Sequence, residues 1–135
     1  MIKYADSVEK CTPESLKGFF VGWPNPPSPE KYVELLESSD EIVLAIDDDT
    51  GKVVGFVTAI SDGVLSAYIP LLEVLPEYQK QGIGRELMRR MLEKLDGLYM
   101  VDIICDKRVR PFYEKFGMKA SCGMCIRRFG KQAGI

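Results

Sequence analysis

The chain has 135 residues, enough for one compact domain and short for two. Apolar residues make up 46% and charged residues 28%, which excludes a disordered chain; a net charge of −2 and a pI near 5.3 give no general attraction to nucleic acid or to an anionic membrane. There is no histidine, so Ser-His and Cys-His nucleophile pairs and H-E-x-x-H zinc sites are excluded, and proton transfer is left to Tyr, Cys, Lys, a carboxylate or water.

The first ten residues, "MIKYADSVEK", lack an apolar secretory core. No later apolar run reaches the roughly 18–20 residues needed to span a bilayer. The expectation is a soluble, cytoplasmic, single domain over residues 1–135. "CTPESLKGFF" (11–20) predicts a short helix with Thr12 as N-cap and Pro13 in its first position. Four prolines in "VGWPNPPSPE" (21–30) predict a stiff loop. Its aromatic flank, Phe19, Phe20 and Trp23, reads either as core or as a wall for a ligand. "SPEKYVELLESSD" predicts a second helix, with Ser28 as cap, Pro29 as start, and Tyr32, Leu35 and Leu36 on one face.

Strands follow. "EIVLAIDD" and "VVGFVTAIS", joined by "DDTGK", carry a β-hairpin signature. Asp62-Gly63 makes another turn, and "VLSAYIPLLEVL" follows as a long strand. Beyond the glycines of "YQKQGIGREL", Ile83, Leu87, Met91 and Leu95 recur every four residues; that is an amphipathic helix closed by Gly97. "LYMVDIIC" (98–105) reads as a strand buried on both faces. "RVRPFYEKFG" reads as a short helix with Asp106 as cap and Gly117 as stop, and "MKASCGMCIRRF" offers a last strand or hairpin. The order α-α-β-β-β-α-β-α-β implies an α/β fold: a mixed sheet flanked by about four helices.

Two features bear on chemistry. Cys122 and Cys125 have the C-x-x-C spacing of a zinc half-site or redox pair, but Cys11 and Cys105 lie in separate segments; reduced thiols and no metal are the expectation. The second feature is the strand-to-helix junction. A helix N-terminus exposes unpaired N–H groups and the positive end of the macrodipole, and so attracts anions. Gly82 and Gly84 remove the Cβ atoms that would keep a phosphate away. Arg85 opposes the macrodipole, which a phosphate contact would explain, and Lys80 is placed to serve the same ligand. A P-loop is excluded because no Gly-Lys-Ser/Thr follows, and the dinucleotide fingerprint is excluded by Leu87 at its third glycine.

"LEVLPEYQKQGIGREL" resembles the acetyl-coenzyme-A signature of the GNAT superfamily of N-acetyltransferases: Gln79, Gly82 and Gly84 match its Q/R-x-x-G-x-G/A core. "DKRVRPFYEKFGM" resembles the second signature of the superfamily, with Phe112, Tyr113, Gly117 and Met118 matching, Asp106 where Asn is usual and Val109 where Ala is usual. The resemblance implies acetyl-CoA as co-substrate. Backbone N–H groups over Lys80, Gln81, Gly82, Ile83, Gly84 and Arg85 would hold its diphosphate. A bulge in "LLEVL" would open a strand edge on which backbone groups of Glu73, Val74 and Leu75 pair with its amide-rich arm. The N–H of Val74 would polarise the thioester carbonyl. Asp106 and Phe112 fall in the matched cofactor region, and Tyr113 matches the usual general acid. For the base, the chain offers only Glu73 and Tyr68, assisting a water chain, or no base for an amine of low pKa. The acceptor implied is a small-molecule primary amine. A protein α-amino group or lysine is the second reading, and a CoA-binding regulatory module without turnover the third. No nucleic acid or membrane partner is expected, and the assembly is read as a monomer or homodimer.

Overall fold

A computed structural model describes all residues 1–135. The chain opens with β1 (Ile2–Ala5), then a single 3-10 turn (Glu14–Leu16), α1 (Pro29–Ser38), β2 (Glu41–Asp47), β3 (Lys52–Ser61) and β4 (Ser66–Val74). A further 3-10 turn (Pro76–Tyr78) leads to α2 (Ile83–Lys94), β5 (Met100–Asp102), α3 (Arg110–Glu114) and a last 3-10 turn (Phe129–Lys131). The five strands form one sheet in sequence order; β1 to β4 pair antiparallel, and β4 pairs with β5 in parallel. The mixed α/β sheet stands as read from the sequence, with three α-helices rather than about four.

Local chemistry accounts for the elements that form. Ser28 Oγ accepts the N–H of Lys31 (3.1 Å) and Pro29 opens α1, so that helix starts where its cap dictates. The β2–β3 turn closes on Gly51 at φ 74°, and Asp62 Oδ1 accepts three N–H groups in the next turn, from Val64, Leu65 and Ser66. α2 lays Ile83, Leu87, Met88 and Met91 on one face of the sheet, close enough to β3 that a Cβ on Gly55 would meet the Leu87 side chain at 3.1 Å. The other face buries an aromatic group: Phe19, Phe20, Tyr32 and Phe56, with ring centroids 4.9–6.2 Å apart in mostly edge-to-face pairs.

Several expectations are corrected. The helix over 11–20 shrinks to the turn Glu14–Leu16: Thr12 and Ser15 bond each other reciprocally as at a helix start, but Lys17 is already extended and Gly18 turns left-handed at φ 98°. β1 (Ile2–Ala5) has no counterpart in the element order read from the sequence. α2 stops at Lys94, three residues before Gly97. The strand over 98–105 is only Met100–Asp102, and it is not buried on both faces: it ends the sheet, with Met100 and Asp102 exposed. Asp106 heads a 3-10 turn (Lys107–Val109) before α3, but its side chain makes no capping bond. The last strand or hairpin over 118–129 does not form.

Candidate functional site

The site lies where β4 and β5 part. Between β3 and β4 the register moves two residues on β3 (Thr58 to Ile60) and three on β4 (Leu71 to Tyr68), so Ile69 and Pro70 share one place. The bulge therefore falls just before "LLEVL". Pairing of β4 with β5 stops at Tyr68, beside this bulge, and residues 69–74 have no strand on that side. Pro70 has no N–H to donate, which suits an open edge. The opened edge and residues 103–106 wall a cleft of about 700 Å³, with Tyr113, Val109 and Arg127 on the β5 side and Val21 and Trp23 from the proline loop.

Backbone direction along β4 alternates. The N–H of Leu75 donates to the Val54 carbonyl of β3 (2.8 Å) and its own carbonyl accepts the N–H of Tyr78, so neither group of Leu75 is free for a ligand. That corrects the sequence expectation for Leu75, which is a core residue. Alternation turns Val74 the other way, into the cleft, where its carbonyl already accepts the side-chain amide of Gln79 (3.0 Å). Gln79 thus braces the strand end.

At the junction, Lys80 has φ 63° and Gly82 φ 84°, left-handed positions separated by Gln81. Such alternation turns successive N–H groups inward as an anion-binding nest. None of the N–H groups of residues 80–85 donates within the protein; the first to find a partner is Glu86, bonded to the Gly82 carbonyl (3.1 Å). Gly82 serves the left-handed turn, whereas Gly84 lies between Val74 and Phe112, each just under 4 Å from where a Cβ would stand. Ile83 contributes backbone only, its side chain being buried under the sheet. Lys80, Gln81 and Arg85 are exposed around this nest, Gln81 with its amide near the Glu77 carbonyl (3.5 Å).

Tyr113 faces the cleft from α3, its ring edge-on to Phe112 (5.0 Å). Burial, and secondarily the nearby Cys105 thiol, push its pKa up to about 12. Glu73 also reaches the cleft, but its two oxygens accept the N–H groups of Phe20 (2.9 Å) and Val21 (3.3 Å), which ties down the proline loop. Because of the bulge, Tyr68 and Glu73 lie on the same sheet face: Tyr68, Leu71 and Glu73 oppose Ile60, Thr58 and Phe56, alternate residues of β3. Tyr68 itself lies on the last β4–β5 rung and does not line the cleft. Phe19 and Phe20 belong to the core, and Trp23 alone of that trio borders the cleft.

A family model for the acetyltransferase (GNAT) family matches residues 8–118. The chain belongs to the GNAT acetyltransferase family. A chain from Deinococcus radiodurans R1, provisionally described as an acetyltransferase, superposes with TM-score 0.96 and 51% identity over 99% of this chain and 93% of that one. A GNAT-family acetyltransferase from Streptococcus pneumoniae TIGR4 follows with TM-score 0.70, 29% identity, and 95% and 99% coverage. GCN5-related N-acetyltransferase 1, chloroplastic, of Arabidopsis thaliana is 31% identical over 84 residues, 61% of this chain and 43% of the relative. This GNAT domain spans less than half the length of that relative.

The bulge that the resemblance implied in "LLEVL" falls just before it, at Ile69 and Pro70, and sequence reading did not place Cys105, Val109 or Arg127 in the walls of this GNAT site. A proline inside a strand pattern was the available signal for the bulge. Arg127 carried none. Asp106, the departure from the family pattern, lines the cleft with its carboxylate exposed and 3.9 Å from the Arg108 guanidinium. No group of three or more Cys, Asp or Glu is arranged to hold a metal ion, and the four cysteines are free thiols.

Proposed function

We propose that this protein is an N-acetyltransferase that uses acetyl-CoA to acetylate the primary amine of a small molecule by direct attack. One observation carries the reading: six consecutive N–H groups without partners, residues 80–85, stand at a helix N-terminus beside a strand edge freed by a bulge. Unpaired N–H groups at a helix start are an anion site, and a free edge accepts an extended, amide-bearing arm. Both are features acetyl-CoA would satisfy, with its diphosphate on residues 80–85, Lys80 and Arg85 as cationic support, and its arm along Leu72 and Val74. When bound, acetyl-CoA supplies the activated acetyl group that the amine takes up, with release of a thiol.

The residues of the chain then divide the work. The Val74 N–H, turned into the cleft, polarises the carbonyl that is attacked. Tyr113, on the opposite wall, keeps its proton through the neutral range and offers it toward the sulfur. Glu73 holds the proline loop over the cleft, with Val21 and Trp23 as the acceptor wall. With both Glu73 oxygens engaged, deprotonation of the amine falls to water. Asp106 lies beside Arg108, which offsets its charge near a polyphosphate. No helix is long and apolar enough to cross a membrane; the curated relatives include chloroplastic proteins, and we place this chain in an aqueous compartment.

Thiol release from acetyl-CoA across a panel of small amines and peptides tests this. Turnover confined to small amines is expected. Turnover only with peptide α-amines or lysines would replace the acceptor class, and CoA binding with no turnover on any amine would make the protein a regulatory module.

A further inference from the structure

Three ionised side chains line the cleft, Glu73, Asp106 and Arg127, and the two carboxylates are already engaged. Glu73 accepts the N–H groups of Phe20 (2.9 Å) and Val21 (3.3 Å), and the Asp106 carboxylate lies 3.9 Å from the Arg108 guanidinium. Arg127 has no such partner. Its guanidinium donates only to the carbonyl of its own neighbour, Ile126 (3.3 Å), and no Asp or Glu occurs between residues 119 and 131. Lys119, Arg128 and Lys131 on the same stretch add to the positive field.

The path of the segment fixes where this cation stands. A Cβ on Gly123 would lie 3.8 Å from the side chain of Ile104, which lines the β5 wall. Further on, Gln132 Oε1 accepts the Asn25 N–H (2.9 Å), just past Trp23 in the proline loop. Arg127 falls between these two anchors, on the side of the acceptor wall. None of residues 80–85 lines this cleft, so the cation is separate from the nest that suits a diphosphate. The surfaces near it, Val21, Trp23, Ile104 and Val109, are apolar.

A guanidinium offers a planar fork that holds a carboxylate or phosphate through two parallel N–H···O bonds. Apolar walls that thin out the water strengthen such a pair. The same charge repels a second ammonium group. Given the acetyltransferase reading above, we infer that the acceptor is an amine that also carries an oxyanion, a carboxylate or a phosphate, which Arg127 binds while the carbon skeleton lies along Val21 and Trp23. Arg127 then selects the substrate, and diamines are disfavoured.

The test compares straight-chain ω-amino acids, from glycine to aminohexanoate, each with its amide, its alkylamine, its ω-diamine and the aminoalkyl phosphate of equal length. At the chain length that fits, the acid or the phosphate is expected to exceed the amide in kcat/KM at least about tenfold, chiefly through KM, and the diamine to be poorest. The better of the two anions identifies the group. Arg127→Gln should bring the ratio of acid to amide close to one, and Arg127→Lys should restore part of it. Arg127 is exposed, so circular dichroism should show the fold retained. A second readout needs no turnover: the N-acetylated acids and phosphates should shift the Val21 amide and the Trp23 indole N–H in NMR spectra of the CoA-loaded protein, and fail to do so in Arg127→Gln. Acids, phosphates and amides turned over equally, with Arg127→Gln indifferent, would overturn the inference and leave the acetyltransferase standing. A loss of CoA affinity alone in Arg127→Gln would overturn it too, by giving the cation to the cofactor. With no turnover of any amine the acetyltransferase reading fails, and the NMR titration decides the anion site by itself.

Discussion

Tyr113 keeps its proton because the cleft wall desolvates its phenol, with the Cys105 thiol adding to the effect. At about 12, against 10.0 for a free phenol, it stays protonated across any working pH. Tyr113→Phe removes the proton and little volume. In single turnover the chemical step is expected to fall by about 10²–10⁴-fold, with CoA affinity nearly unchanged. An unchanged step would remove Tyr113 from the mechanism. The sign of the linkage follows from the raised value: the folded state retains this proton to higher pH, so its contribution to stability is present below about pH 10 and is lost as pH rises through about 12. The rate itself should climb with deprotonation of the acceptor, an alkylammonium with a pKa of roughly 10.4. A plateau already reached at neutral pH would point to a protein base instead.

The junction between β4 and α2 separates the roles of its two glycines. Gly82, at φ 84°, is needed for a backbone that an L side chain adopts at a cost of about 1–2 kcal/mol. Gly82→Ala is therefore expected to lower the melting temperature. Gly84 lies inside α2, where alanine is favoured by up to about 1 kcal/mol and its methyl meets Val74 and Phe112 at ordinary contact distance. Gly84→Ala should melt no lower than wild type yet bind CoA more weakly in calorimetry, since the methyl stands beside the free N–H groups. Equal losses of stability in both variants would show the pair to be a chain turn only. Legibility followed the same division between local and distant causes. α1, α2 and the β2–β3 hairpin were readable because Ser28, the four-residue spacing of Ile83 to Leu95, and Gly51 are local signals. The helix over 11–20 was not, because its Thr12 start is local but the chain leaves it at Lys17 and the left-handed Gly18. Leu75 was misassigned because the direction of its N–H depends on a ladder with Val54, 21 positions away in the chain. The strand or hairpin read over 118–129 was misread because its apolar residues are a local signal, whereas a strand needs ladder bonds, and residues 118–127 make no backbone–backbone hydrogen bond.

Across the molecule, the two faces of the sheet have different tasks. α2 packs one face tightly, down to the close approach at Gly55, and so fixes the helix start that carries the free N–H groups. The aromatic group packs the other, and Glu73 ties the proline loop to it over the cleft. The fourth and fifth strands separate between these layers, which gives the molecule one open seam lined by Val74 on one side and Tyr113 on the other. The two signature motifs of the family were legible in sequence because both are short and local; the seam joining them came only with the resemblance, and its place was not legible, because it arises from a register shift against β3. The most direct test of the account is an amide NMR titration of the whole chain with CoA. The largest shifts are predicted at residues 80–85, with a second group at Leu72 and Val74 and little change at Leu75. Saturable binding that leaves residues 80–85 unmoved would contradict it.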